Sequence, residues 1–65
     1  MRFRKGDKVK LNKKTETEWE ESGEFRGQAY RFRGTHLVDH YDGDTIYTTE
    51  AIGFHNGDSI LEKAI

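Results

Sequence analysis

Three aspartates lie close together in the chain, Asp39, Asp42 and Asp44, and clustered carboxylates are one way to do acid–base chemistry. Catalytic carboxylates need a cleft that pushes their pKa values apart. Asp42 and Asp44 instead flank Gly43, in a turn where solvated acids are common, and 65 residues leave little room for a cleft. The chain has no cysteine, no G-x-S-x-G, no phosphate-cradling glycine loop and no H-E-x-x-H. The expectation is a non-enzyme with no catalytic residues. His36 and His40 are four apart. On a strand they would share a face about 13 Å apart, too far to chelate one ion unless the strand bends. Glu50 or His55 could approach from a neighbouring element. The expectation is surface or rim histidines, with no metal site and no cofactor.

Two other constellations suit binding. Arg2, Arg4, Lys5, Lys8, Lys10, Lys13 and Lys14 make a basic segment. If a strand carrying Tyr30 and Phe32 pairs beside it, Arg31 and Arg33 would join Lys8 and Lys10 in a basic patch suited to phosphates. Tyr30 or Tyr47, if exposed, would stack on bases. Against this, acids outnumber bases, and a charged strand face is most often solvated and protective of an edge. Nucleic-acid binding is therefore the alternative reading. The leading one is protein binding. Trp19 sits among Glu18, Glu20 and Glu21, and Tyr41 lies in a hairpin rich in histidine and tyrosine. Trp and Tyr are typical interface anchors, and an acidic surface suits a basic partner. The structural alternative for Trp19 is an anchor that pins its loop onto the core.

The elements that position these residues belong to one small domain spanning residues 1–65. Charged residues make up 35% and hydrophobic residues 32%, a balance that raises the question of disorder. Aromatics at 12%, apolar residues spaced between turn signals and the lack of proline argue for a fold with a thin core, as a monomer or weak homo-oligomer. Net charge is −1 but polarised. Residues 1–14 carry seven Lys/Arg and one acid, whereas residues 34–65 carry one Lys and six acids. Polarised charge bears on partners rather than on fold. Without cysteine, signal-like start or apolar span, a cytoplasmic location is expected.

Lys5–Asn12 (KGDKVKLN) reads as a turn launching a strand, with Val9 and Leu11 inward and Lys8 and Lys10 outward. Thr15–Ser22 predicts one or two turns of helix, with Thr15 as N-cap, Glu18 at the capping-box position and Gly23 as the stop. Gln28–Tyr41 predicts the longest strand, with Tyr30 and Phe32 on one face. Gly34 would mark a bulge or bend inside it, so that the inward face switches near Leu37 and Val38. Tyr41–Asp44 and Asn56-Gly57 predict hairpin turns. Ile46 and Tyr47 fall on opposite faces, and Ile60, Leu61 and Ile65 would close the core.

Five or six short strands with one long early loop predict a mostly β barrel or sandwich. The start F-x-x-GDKVKL, the long polar second loop, the strand–DG–strand hairpin and the closing strand with Leu61-Glu62 resemble the small SH3-like barrels. That superfamily includes the KOW and Tudor-like modules and many short bacterial and phage proteins. The resemblance implies a five- to six-stranded SH3-like barrel with one short helical turn in its first long loop. The aromatic ALYDY-type stretch of peptide-binding SH3 domains is missing, and no methyl-lysine cage is matched. The resemblance therefore implies a binding scaffold without a transferable site. The function expected is a protein-binding adaptor, inhibitor or regulator, with a KOW-like nucleic-acid binder as the alternative.

Overall fold

The computed structural model describes residues 2–27 and 31–64. The first strand, β1 (Lys8–Leu11), buries Val9 and Leu11 and exposes Lys8 and Lys10, as period-two alternation requires. Gly6 makes the preceding turn at φ +92°, and its N–H donates to the Val38 carbonyl at 2.8 Å.

The helix that follows, α1 (Lys13–Ser22), starts earlier and runs longer than the sequence predicts. Its N-cap is Asn12, not Thr15: the Thr15 N–H donates to Asn12 Oδ1 at 2.9 Å, and the Thr15 side chain is buried. The reason is partly tertiary. Asn caps at least as well as Thr, and the Asn12 amide also donates to the Ser59 carbonyl at 2.9 Å. Glu16 occupies the first turn, where an acid complements the helix dipole. Gly23 stops the helix at φ +79°, as expected, and a 3-10 turn (Glu24–Arg26) follows.

The strand expected over Gln28–Tyr41 begins only at His36. Residues 28–30, and with them Tyr30, lie outside the described set. Arg31–Thr35 is not strand, and Gly34 at φ +83° precedes the ladder rather than bending it. In β2 (His36–Asp42) the inward face does not switch at Gly34: His36 and Val38 are buried while Leu37 is 43% exposed. The irregularity falls later, between Val38 and His40, and turns Tyr41 inward opposite Ile46. Gly43 at φ +62° then closes the predicted hairpin to β3 (Thr45–Thr48), with Ile46 buried and Tyr47 on the other face.

A short β4 (Gly53–Phe54) pairs with β3. Asn56-Gly57 does not form the predicted hairpin. Asn56 is left-handed at φ 55°, and the chain enters a four-residue helix, α2 (Gly57–Ile60). The Gly57 N–H donates to the Asp44 carbonyl at 3.1 Å, which ties α2 beneath the β2–β3 hairpin. The last strand, β5 (Leu61–Lys63), pairs with β1. Leu61 is fully buried and Ile60 partly so, while Ile65 is outside the described residues.

The result is a small, mostly β domain: one five-stranded antiparallel sheet, ordered β4-β3-β2-β1-β5, with two helices. The sheet is not closed into the expected barrel. Among the described residues no ladder joins β4 to β5. The core comprises Phe3, Val9, Leu11, Val38, Ile46, Ile52, Phe54 and Leu61. Each such side chain contributes about 1.5–3 kcal/mol by leaving water. Among the described residues no helix is long and apolar enough to cross a membrane.

Candidate functional site

Helix α1 has only one large apolar side chain, Trp19, and its other positions are polar or charged. Isolated ten-residue helices are marginal in water, so α1 needs Trp19 for docking. Trp19 packs on Phe25 at 5.9 Å and on Phe32 at 5.5 Å between ring centroids. Phe32 continues to Phe54 at 4.8 Å, and Phe54 to His36 at 5.4 Å. All four tilted pairs lie in the favourable range for aromatic contact. A continuous series of rings therefore runs from the helix into the sheet.

Trp19 is only half-buried, and its remaining surface borders a concavity of about 310 Å³. Trp19, Glu24, Phe32, Phe54, His55 and Ile60 line it. Five parts of the chain thus contribute: α1, the 3-10 turn Glu24–Arg26, the segment ahead of β2, β4 with the residue after it, and α2. Phe32, Phe54 and Ile60 make its floor apolar. No short-range pattern announces this grouping, because Trp19, Phe32, Phe54 and Ile60 are far apart in the chain.

Glu18, Glu20 and Glu21 are exposed on α1, and residues 15–25 contain five Glu and no Lys or Arg. Glu20 pairs with Arg33 at 3.3 Å, and the Arg33 guanidinium lies 4.5 Å over the Phe25 ring. Arg33 therefore serves α1 rather than a basic strand face. Arg31 is exposed in the same non-strand segment. Lys8 and Lys10 do project together from β1, but Lys10 is 3.8 Å from Glu62 and Lys63 is 3.9 Å from Asp7. Arg31 and Arg33 lie ahead of β2 and outside any strand, so the strand pairing expected to set them beside Lys8 and Lys10 is not formed.

Tyr41 lies apart from Trp19. It borders a second, polar concavity of about 330 Å³ with Gly43, Asp44, Asn56, Asp58 and Ser59. Its hydroxyl accepts from the Phe3 N–H at 3.1 Å and donates to Asp58 Oδ1 at 2.6 Å. Burial, and then the Asp58 hydrogen bond, push the Tyr41 phenol up from its ordinary value. The same hydrogen bond holds the Asp58 carboxyl below the usual range. Both polar capacities of the hydroxyl are already used within the fold.

His36 is not the rim residue the sequence suggested. It is buried, with Nδ1 3.1 Å from Glu50 Oε1 and Nε2 3.2 Å from the Phe32 carbonyl. His40 is exposed and stacks on Tyr47 at 5.1 Å. Its Nδ1 lies 2.6 Å from Asp39 Oδ2, and this hydrogen bond holds the Asp39 carboxyl below its ordinary value. Among the described residues no three His, Asp or Glu side chains are grouped to hold a metal ion. No family model matches the chain, and neither the curated proteins nor the solved structures contain a match to it.

Proposed function

We propose that this protein is a non-catalytic binding module of the SH3-like kind, and that it takes a basic segment of another protein at the Trp19 concavity. The sheet order β4-β3-β2-β1-β5 supports the SH3-like reading, with β1 between β2 and β5 and a short helical turn leading into the last strand. The observation that carries the binding reading is the concavity itself. An aromatic and aliphatic floor stands beside a helix whose exposed face is acidic, and an interface anchor with complementary charge has that composition. A small regulator, adaptor or inhibitor of bacterial or phage type would have this layout. The nucleic-acid alternative has less support, since Arg33 is drawn to Glu20 and Lys10 to Glu62.

The test uses fluorescein-labelled peptides with an aliphatic or aromatic residue between lysines or arginines, with acidic peptides of the same apolar content as controls. Basic peptides should bind with saturation, and E18K/E21K together should weaken them at least tenfold. K8E/K10E should leave that binding unchanged. Equal affinity for acidic and basic peptides, or loss through K8E/K10E instead, overturns the reading.

A further inference from the structure

His36 is buried on β2, yet both of its ring nitrogens face acceptors. Nδ1 meets Glu50 Oε1 at 3.1 Å and Nε2 meets the Phe32 carbonyl at 3.2 Å. An ionised carboxylate and a peptide carbonyl can only accept, and a neutral imidazole has a single N–H to give. The neutral ring therefore leaves one lone pair pointing at an oxygen. Only the imidazolium donates to both. A lone charge is costly away from water, and the Glu50 carboxylate is what makes a charged ring tenable there.

We propose that His36 is a proton-dependent latch on the Trp19 concavity. With both nitrogens protonated it holds the Phe32 backbone to β2 and to Glu50. The bond to the carboxylate is charge-assisted and the stronger of the two, so Nδ1 keeps its proton when one is lost. Nε2 then presents a lone pair to the Phe32 carbonyl and the latch opens on that side. Phe32 lines the concavity and touches both Trp19 and Phe54, so release of its backbone reaches the binding surface directly.

The surroundings leave this control to one pair. β1 presents Val9 to His36, while Lys8 and Lys10 project from the opposite face of the sheet. β4 presents Phe54, and β5 lies beyond β1 with Lys63 exposed near Asp7. On the segment ahead of β2, Arg33 is engaged by Glu20, and on β2 itself Asp39 and His40 pair with each other. Among the described residues Glu50, on the turn between β3 and β4, is the charged side chain in contact with His36, and its own side chain is 55% exposed. This latch deepens the concavity reading and rests on it for its biological use, but its chemistry can be tested without any ligand.

The test is nitrogen-15 NMR of the full chain across the range where histidines change charge, about pH 5 to 8. The His36 ring should show two protonated nitrogens in acid, and the Trp19 indole N–H signal should move with the same midpoint as His36. Glu50→Gln, at an exposed side chain, should fold and should move the His36 and Trp19 midpoints together. His36→Gln should abolish the pH response of Trp19, and Glu50→Gln remains decisive if that variant does not fold. A His36 ring neutral throughout overturns the latch, as does a Trp19 midpoint unrelated to His36 or one unmoved in Glu50→Gln. If the latch titrates as stated but no basic peptide binds, the concavity reading fails and the latch stands.

Discussion

The Tyr41 hydroxyl on β2 donates to the Asp58 carboxylate on α2 at 2.6 Å, across 17 residues of chain. The same hydroxyl accepts the Phe3 N–H, so one side chain joins the N-terminal segment, the central hairpin and the last helical turn. This sets a two-sided pH dependence. Asp58 is held low, chiefly by the Tyr41 hydrogen bond, so its contribution is full above the unfolded carboxyl's value and lost as pH falls through the folded one. Tyr41 is held high, chiefly by burial, so the neutral phenol's contribution is full below its unfolded value and lost as pH rises through the folded one. Thermal midpoints of wild type and Tyr41→Phe, measured against pH, should be furthest apart near neutrality and converge in acid. A constant gap from neutrality down to strong acid counts against this account.

Gly57 has no room for a side chain. A Cβ there would come within 2.9 Å of the Ile46 Cβ, and closer still to its outer carbons. Ile46 is fully buried, so the clash cannot be relieved toward solvent. Gly57→Ala should cost about 1–3 kcal/mol by overpacking, read as a lower urea midpoint with unchanged slope. Pairing it with Ile46→Val should recover part of that loss.

Asn12 works in two directions, accepting from the Thr15 N–H and donating to the Ser59 carbonyl. Asn12→Ala should cost about 1–2 kcal/mol in chemical denaturation. Asn12→Asp keeps the acceptor for the helix and loses the donor to Ser59, so its midpoint should fall between wild type and Asn12→Ala. Equal losses in the two variants would place the whole effect in the Ser59 contact.

Ala51 sits at φ 65° between Thr48 and Ile52, and its N–H donates to the Thr48 carbonyl at 2.9 Å. A Cβ in the left-handed region costs about 1–2 kcal/mol, and glycine gives back about 0.4–1 through the unfolded chain. Ala51→Gly should therefore raise stability, by roughly 0.5–1 kcal/mol. Urea denaturation resolves a change of that size if paired samples are measured together.

What the sequence revealed were features set by neighbours along the chain. Alternation around Val9 and Leu11, Gly23 as a helix stop and Gly43 as a hairpin turn each follow from a few adjacent residues. The misreadings occurred where distant contacts chose between local options. Thr15 and Asn12 are both good caps three residues apart, and Ser59 favours Asn12. Asn56-Gly57 suits a hairpin, yet the Asp44 carbonyl and the Ile46 side chain draw it into α2. His36 looked like a rim histidine because its partner, Glu50, is 14 residues away. The Trp19 concavity was only half legible. Its acidic side is contiguous in sequence, while its floor is assembled from Phe32, Phe54 and Ile60, which meet only once the sheet has formed.

The place of β1 between β2 and β5 has a consequence for how the domain folds. β1 is an interior strand of the finished sheet, and one of its two flanks, β5, follows β2, β3 and β4 in the chain. The β2–β3–β4 meander can pair as it appears, because its contacts are local. Val9 and Leu11 must wait for Leu61 to cover them. Until β5 docks, β1 keeps an unpaired apolar strand edge, so that interval is when the folding domain is most open to a chaperone or to aggregation.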